Sequence, residues 1–492
     1  MTGVWTVDHV RAAEDKVLAR TPDGALMRRA AFGVATAAAG MLAERVGGLR
    51  AGGSRVGGVP GRRVVLLVGA GNNGGDALFA GAFLRRRGVR VTAVLLDPER
   101  AHAAGLAALV RLGGRIAPAD DCPGVLESAD LVVDGIVGLS ARGPLRPAAA
   151  ELVRRISAPV LAVDLPSGVD PDTGAVAGPS VRADVTVTFG CRKPAHVLSP
   201  GAARCGTVRV VDLGLLPELG EPDLVLLDPA EIGRRWPVPG PADDKYTQGV
   251  TGVAAGSAAY PGAAVLATGS ALLATSGMVR YGGHAADAVR AHWPEAVTTG
   301  SIADAGRVQS WVVGPGLGTG SGGAEALSTV LGAGVPVCAD ADAITLLGAH
   351  PELWDARDPD TPMVLTPHDR EFARLAGDVG PDRVAAARRA ARRFGAVVLL
   401  KGNSTVVAAP DGRVLVNSAT TAWAATAGSG DVLSGLIGAL LAAGVDPWFA
   451  AGAAARLHVL AAELAADGAP APASALMRSI PAAIRAIRAE AR

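Results

Sequence analysis

Gly428-Ser429-Gly430-Asp431 stands directly before the apolar run 432–443. Small residues at the start of a helix leave backbone N–H groups free to meet an oxyanion or a phosphate. A carboxylate on the first turn, Asp431, is then placed to take a proton from a hydroxyl that attacks that phosphate. An ordinary helix cap needs one polar residue. Here Thr426-Ala427-Gly428-Ser429-Gly430-Asp431, with Thr420 and Thr421 upstream, supplies a whole cradle. Lys401-Gly402-Asn403-Ser404-Thr405 follows the run VVLL, and a lysine and a threonine on a glycine turn suit phosphate contact. Gly314-Pro315-Gly316-Leu317-Gly318, Ala339-Asp340-Ala341-Asp342-Ala343 and Thr366-Pro367-His368 with Glu371 each follow another apolar run. A lone histidine more often sits on a surface or serves structure, but this setting makes His368 a candidate ligand contact.

A second constellation lies earlier in the chain. Gly69-Ala70-Gly71-Asn72-Asn73-Gly74-Gly75-Asp76 follows VVLLV and matches the spacing G-x-G-x-x-G, with Asp97 about 20 residues on where a ribose-binding acid would fall. Two adjacent amides and a carboxylate are more than a plain hydride-transfer loop needs. Three further strand-like runs end in polar groups, at Asp134, at Asp164-Leu165-Pro166-Ser167 and at Cys191-Arg192-Lys193-Pro194. Any one aspartate reads as a cap or turn residue. Four such ends in one stretch favour a shared pocket of Asp76, Asp134, Asp164 and Ser167.

The elements that must hold these groups are short apolar strands alternating with Ala- and Arg-rich helices. Strands are expected at 64–68, 89–96, 131–134 and 159–164, then at 250–255, 310–314, 335–339, 363–366 and 397–400. Helices are expected at 77–87, 101–112, 385–394 and 431–443. Continuous apolar strands separated by helices predict parallel sheets buried on both faces, with ligands at the carboxyl ends of the strands. The uncharged stretch 247–279 is broken by Pro261 and several glycines, so it reads as a strand, a turn and a buried helix. Pro217, Pro222, Pro229, Pro237, Pro239 and Pro241 mark a linker or irregular segment. The division expected is a first domain over 1–218, a linker over 219–244 and a second domain over 245–492.

Length agrees, since 492 residues predict two or three domains at about 150 each. Net charge is +1, which provides no basic footprint for nucleic acid, and 49% hydrophobic against 19% charged residues excludes disorder for most of the chain. Of 47 basic residues only Lys16, Lys193, Lys245 and Lys401 are lysines, which singles out those positions. Cys122, Cys191, Cys205 and Cys338 form no CxxC pair and read as reduced, buried thiols of a cytoplasmic protein. Charged residues within the first twenty positions argue against a secretory signal, and no membrane partner is expected.

GNNGGD, VDGIVGLSARGP, DLPSG and FGCRKP together resemble the YjeF N-terminal domain, the NAD(P)H-hydrate epimerase family, over about residues 5–215. The resemblance implies substrate contacts at Asn72, Asn73, Gly74, Gly75 and Asp76, at Gly138, Leu139, Ser140, Ala141, Arg142, Gly143 and Pro144, and at Asp164. It also implies a potassium ion held by Asn73, Asp134 and Ser167, an oxygen-only set that suits a hard cation. Asp164 is the candidate acid/base for losing and re-adding a hydroxyl at C6 of the hydrated nicotinamide. Ala70 stands where the family usually has proline, Ala77 where it has glycine, and Arg28 where it has glutamate.

GSAAYPGA, GPGLG, DADAI, LTPH, LKGNST and TAGSGDVLSGLIGALLAAG resemble the ribokinase-like YjeF C-terminal domain, the ADP-dependent NAD(P)H-hydrate dehydratase, over about residues 245–465. The resemblance implies that Ala263, Gly318, His368 and Asp431 meet the hydrated dinucleotide. It implies that Lys401, Gly402, Asn403, Ser404, Thr405 and Gly430 meet the adenine nucleotide, that ADP is co-substrate with Mg2+, and that Asp431 is general base. One departure is Asp369-Arg370 where the family usually has Pro-Gly.

The fold expected is therefore α/β throughout, a Rossmann-like three-layer domain followed by a ribokinase-like one. The function expected is two-step repair: interconversion of (R)- and (S)-NAD(P)H hydrate, then ADP-dependent dehydration of the S form to NAD(P)H, AMP and phosphate. A cytoplasmic homo-oligomer acting on small molecules completes the expectation. The alternative is a ribokinase-like vitamin or sugar kinase fused to a degenerate Rossmann-like ligand-binding domain. A dinucleotide-dependent dehydrogenase ranks third, because no hydride-transfer constellation is present.

Overall fold

The computed structural model describes residues 1–44, 58–119, 122–275, 277–419 and 421–491. Thr420 and the side chain of Cys122 lie outside the described residues. The chain divides into two compact units, Gly3–Asp223 and Leu224–Arg492, the latter with Met1–Thr2.

The first unit begins with helices α1 (Val7–Leu18) and α2 (Ala25–Glu44). Strand and helix then alternate: β1 (Arg63–Val68), α3 (Asn72–Arg86), β2 (Arg90–Leu95), α4 (Ala103–Arg111), β3 (Arg115–Pro118), α5 (Cys122–Glu127), β4 (Leu131–Gly135), α6 (Pro147–Arg154), β5 (Val160–Val163), β6 (Val185–Phe189) and β7 (Thr207–Val211). The sheet runs β3-β2-β1-β4-β5-β6-β7, and every neighbouring pair is parallel. Side-chain alternation divides the strands between two cores. Val64, Leu66 and Val68 pack with residues of α2 and α3 on one face. Val65 and Leu67 pack with Leu126, Ala149 and Leu152 on the other. This is the expected three-layer, Rossmann-like arrangement. Its strand order reverses between β1 and β4, and such a reversal opens a crevice at the carboxyl ends.

The second unit runs through β8 (Leu224–Leu226), α7 (Pro229–Arg235), β9 (Val250–Ala254), α8 (Pro261–Ala274), β10 (Met278–Gly282), α9 (Ala286–His292), β11 (Val297–Thr299) and β12 (Ser310–Val313). It continues with α10 (Ser321–Leu331), β13 (Val337–Ala339), α11 (Asp342–Ala349), β14 (Met363–Leu365), α12 (Asp369–Ala376), α13 (Arg383–Phe394) and β15 (Val397–Leu400). The last elements are β16 (Ser404–Ala408), β17 (Val414–Ser418), α14 (Ser429–Ala442), α15 (Pro447–Ala466), α16 (Ala473–Arg478) and α17 (Ile480–Glu490). From β8 onward the strand order of its eleven-stranded sheet is β8-β17-β16-β15-β14-β13-β12-β9-β10-β11. β16 pairs antiparallel with both β15 and β17. Here the order reverses between β9 and β12.

Part of the proline-rich stretch is built into this unit. Asp228 caps α7 through a bond from the Ala230 N–H, and Ile232 and Trp236 are buried in the second core. Pro229 starts that helix, a role that free chain does not share. The segment 247–279 is the strand and buried helix expected of it. By length and composition α15 could cross a membrane, and 67% of its apolar window is buried inside this unit.

Helix α14 is buried nearly all round, as its sequence without charge after Asp431 requires. Ser270 and Ser310 donate to the Val432 and Gly438 carbonyls, fixing it against α8 and β12. A Cβ at Gly435 would collide with the Ala267 carbonyl oxygen, so glycine there lets α8 approach. Gly435→Val is expected to destabilise the second unit by about 1–3 kcal/mol, read as a lower denaturation midpoint.

Candidate active sites

In the first unit the chemistry-bearing residues gather at the carboxyl ends of β1, β4, β5 and β6, flanking the reversal. Asp134, at the end of β4, is fully buried. Its Oδ1 accepts from Ser167 Oγ at 2.7 Å and from the Ile136 N–H at 3.2 Å, and its Oδ2 accepts from the Ser167 N–H at 2.8 Å. Burial pushes its carboxyl up to about 6, against the pull of those bonds. Among the described residues no lysine, arginine or histidine pairs with it.

Asp164 follows β5 with a φ of 67°, a left-handed conformation that few non-glycine residues adopt. Such strain is concentrated at functional sites. Its Oδ1 accepts from Lys193 Nζ at 2.7 Å and from Thr188 Oγ1 at 2.9 Å. Burial alone would raise its carboxyl, but the Lys193 ammonium more than offsets this and holds it below the usual range. His196 accepts the Lys193 N–H on Nδ1, so its Nε2–H donates to the Asp164 carbonyl at 2.9 Å. Burial holds that ring neutral, with a pKa lowered to about 4.

Asn73 and Asp76 lie on the first turn of α3, three residues apart and so on one face. Asp76 is buried, and burial followed by the charges of Asp164 and Glu14 raises its carboxyl well above normal. Gly138, on the loop after β4, leaves room for the Asn73 and Asp164 side chains. A Cβ there would stand 2.8 Å from Asn73 Oδ1 and 3.4 Å from Asp164 Oδ2. The loop's Ser140, Arg142, Gly143 and Pro144 are exposed, while Ala141 is buried and Leu139 lies between. The strand-end residues thus form two hydrogen-bonded clusters on one rim, Asp134 with Ser167 and Asp164 with Lys193. Asp97 instead caps a short turn through the Arg100 N–H.

Two of the departures, Ala77 and Arg28, have a local setting, and nothing in the structure explains Ala70. Ala77 packs opposite Gly135, where a second Cβ would stand only 2.5 Å away. Arg28 is exposed and donates to the Asp23 carbonyl at 3.3 Å. A cavity of about 420 Å³ opens at the opposite rim, lined by Leu42, Asp130, Asp184 and Arg209 among others, and contains none of the motif residues.

The second site surrounds the start of α14. Asp340, directly after β13, is buried between Lys401 Nζ at 2.7 Å on Oδ1 and Ser434 Oγ at 2.8 Å on Oδ2. Burial raises its carboxyl, and the Lys401 ammonium outweighs that and lowers it. The chain turns sharply after it at Ala341, whose φ is 49°. Lys401 also lies 3.5 Å from Glu371 Oε2. A Cβ on Gly430 would sit 3.4 Å from Asp340 Oδ2 and 3.6 Å from Lys401 Nζ, so the ammonium and the helix N-terminus converge there. Asp431 is on that first turn. Burial, then the Asp340 charge, raises its pKa to about 7, a value suited to a base near neutrality. His458 donates to the Ser429 carbonyl at 2.9 Å and steadies this turn from α15.

Gly318 donates its N–H to Asp342 at 2.8 Å, and Gly316 abuts Ala263 and Tyr260, which brings the loops after β9 and β12 together at the reversal. Gly402 and Asn403 are exposed on the β15–β16 turn, Thr405 is part-buried, and Ser404 is buried in β16. His368 caps α12, its Nδ1 accepting the Arg370 and Glu371 N–H groups, with its Nε2 3.4 Å from Glu371. Asp369 pairs with Arg383 at 2.8 Å, and Arg383 in turn donates to the Lys401 carbonyl at 2.8 Å. The charge gained in that loop therefore braces the lysine strand end.

Sequence reasoning had not assigned roles to Lys193, His196, Asp340, Ser434 or His458. Lysine scarcity pointed to Lys193, and the position after β13 pointed to Asp340. No local pattern marks the two histidines.

Residues 251–482 match the family model described as NAD(P)H-hydrate dehydratase, and residues 23–195 match that of the YjeF-related protein N-terminus. The bifunctional NAD(P)H-hydrate repair enzyme Nnr of Mycobacterium tuberculosis (strain H37Rv) is 55% identical over 449 residues, 90% of each chain. That of Mycobacterium leprae is 54% identical over 96% of each chain, and that of Escherichia coli 34% identical over 82% of this chain and 81% of its own. Among solved structures, an ADP/ATP-dependent NAD(P)H-hydrate dehydratase from Bacillus subtilis is 27% identical, covering 53% of this chain and 98% of its own, with a TM-score of 0.47.

The Asp340 charge is part of what raises Asp431, so Asp340→Asn is expected to move the Asp431 titration below about 7. Carboxyl carbon NMR across pH follows that movement directly.

Proposed function

The chain belongs to the family of bifunctional NAD(P)H-hydrate repair enzymes, and on that premise we propose how its two sites divide the work. The first unit interconverts the R and S hydrates, with Asp164 as its acid/base group. The second dehydrates the S form at the expense of ADP. The observation that carries the second assignment is Asp431, raised to about 7, on the first turn of α14 beside the Lys401 ammonium.

In the dehydratase, Asp431 takes the proton from the C6 hydroxyl as that oxygen attacks the terminal phosphorus of ADP. AMP leaves, and the C6 oxygen becomes a phosphate ester. The Gly430 N–H at the start of α14 and the Lys401 ammonium face the charge that develops on the transferred group. The ester then departs as inorganic phosphate while the ring nitrogen lone pair assists. Loss of the C5 proton restores the C5–C6 double bond of NAD(P)H. Ala263, Gly318 and His368 line the dinucleotide side in this reading, and Lys401, Gly402, Asn403, Ser404, Thr405 and Gly430 the nucleotide side. Asp340 is already held by Lys401 and Ser434, so Mg2+ would enter on the phosphates of the nucleotide.

In the epimerase, Asn72, Asn73, Gly74, Gly75 and Asp76 receive the substrate at the start of α3. The loop Gly138, Leu139, Ser140, Ala141, Arg142, Gly143 and Pro144 closes the other side. Potassium fits the chemistry of Asn73, Asp134 and Ser167. Asp134 is a buried carboxylate with no cationic partner among the described residues, and the Asn73 amide oxygen and the Ser167 hydroxyl would complete an oxygen set. An ion there would neutralise the buried charge and hold the two loops together. Exchanging potassium for tetramethylammonium at equal ionic strength is expected to lower the thermal midpoint of the first unit, and Asp134→Ala should abolish that difference. The proposal also places the enzyme in a reducing compartment as a homo-oligomer. The buried free thiols of Cys191, Cys205 and Cys338 support the first part.

Asp431→Asn is expected to reduce dehydration about 10²–10⁴-fold while leaving epimerisation, and Asp164→Asn to do the reverse. Separate assays of NADPH formation and of R/S exchange test this, and loss of both activities in either folded variant contradicts it. Dehydration also depends on ionised Asp431, so its rate should rise with pH through about 7 and level off above.

A further inference from the structure

We propose that Lys193 is a positioning residue for epimerisation: it ties down one oxygen of Asp164 and leaves Oδ2 as the single proton-accepting oxygen that faces the substrate loop. This rests on the reading of Asp164 as the acid/base group of the first site.

The hydrogen-bond inventory carries the argument. An ammonium has three donors and no acceptor. Lys193 Nζ donates to Asp164 Oδ1 at 2.7 Å, to Thr188 Oγ1 at 2.8 Å and to the Phe189 carbonyl at 2.9 Å. All three hydrogens are therefore used inside the protein, and the side chain is 1% exposed. Lys193 has no donor left for a ligand, which separates it from a phosphate-binding lysine. Asp164 is divided accordingly. Oδ1 accepts both Lys193 and Thr188, whereas Oδ2 is the oxygen that would stand 3.4 Å from a Cβ on Gly138. The backbone is fixed by the same segment, because His196 bonds both the Lys193 N–H and the Asp164 carbonyl. Asp164 is thus clamped at its carboxylate and at its peptide, in a left-handed conformation, with one oxygen presented.

The charged and titratable groups around it are Lys193, His196 and Cys191 on the segment after β6, Asp76 on α3 and Glu14 on α1. Burial raises the Glu14 carboxyl against the pull of the Lys193 ammonium, with the Asp164 charge adding to the rise, and burial followed by the charges of Asp164 and Glu14 raises Asp76. Asp76 shares its face of α3 with Asn73, whose Oδ1 borders the same Gly138 position as Asp164 Oδ2, and in the proposed step it is the proton donor. As the C6–O bond breaks, the ring nitrogen lone pair forms the C6=N double bond and the departing hydroxyl takes the Asp76 proton to leave as water. Water then adds to the opposite face of C6, its electrons returning the lone pair to nitrogen, and its proton passes to Asp164 Oδ2. The site ends with Asp76 ionised and Asp164 protonated, and proton exchange with solvent restores it.

The test is the pH profile of R/S exchange by the full chain without ADP, followed by chromatography of NADPH hydrate and corrected for the uncatalysed rate. Without the ammonium, Asp164 is a buried carboxylate whose pKa rises, so it becomes a base only at higher pH. Lys193→Met is expected to lose about 100-fold at pH 7 and to move the acidic limb of kcat/KM up by at least one pH unit. Thr188→Val, which keeps the ammonium, is expected to move the limb the same way by less and to serve if Lys193→Met does not fold. An unmoved limb in the folded variants, whether activity is kept or uniformly lowered, overturns the proposal. Asp164→Asn distinguishes the two levels of the argument. If it stays active, the reading of Asp164 fails. If it is inactive while the Lys193 and Thr188 variants keep the wild-type limb, only the role of Lys193 fails.

Discussion

Each unit buries one lysine against one aspartate, Lys193 on Asp164 and Lys401 on Asp340, both at 2.7 Å. Taking either charge out of water is costly, and only close pairing with further hydrogen bonds offsets the cost. Both pairs stand at the carboxyl rim of a parallel sheet, where the strand ends and glycine loops supply those further bonds. An ammonium is a compact charge whose three donors can be enclosed, whereas a guanidinium needs a broader planar site. That accounts for lysine at these positions in a chain whose other basic residues are almost all arginine.

The two pairs are used differently. Lys193 is enclosed and directs all its donors into the protein, so its effect on chemistry passes through Asp164. Lys401 keeps about a fifth of its side chain exposed beside Gly430, so it can meet a phosphate while Asp340 holds it. Asp340 then acts a second time, its charge adding to burial in raising the carboxyl of Asp431 on α14. In both units the pair stands at the carboxyl rim of the sheet and sets which carboxylate there is ionised. Asp164 is held low and Asp431 is held high, which matches a proton acceptor clamped in place in one site and a base that works near neutrality in the other.

Much of this was legible in the sequence because strand ends, glycine turns and helix starts are local patterns. The strands at 64–68 and 397–400, the helix after Gly428-Ser429-Gly430-Asp431 and the gathering of Asp76, Asp134, Asp164 and Ser167 all follow from hydrophobic runs and what ends them. The partners of those residues were not legible, since partnership is set by tertiary distance. Asp340 and Lys401 are 61 positions apart, and His458 reaches Ser429 across 29. The stretch 219–244 illustrates a different gap. Proline density signals interrupted structure, but it does not reveal that Ile232 and Trp236 between the prolines are core residues.

The claim that ties these observations together is that one chain holds both activities in separate sites. The most direct measurement is the yield of NADPH from a mixture of R and S hydrate given excess ADP, compared with the same reaction given ATP. Recovery of the whole mixture, well ahead of spontaneous epimerisation, is the predicted result. A plateau at the S fraction alone would contradict the epimerase site, and accumulation of a stable phosphorylated hydrate in place of NADPH would contradict the dehydratase.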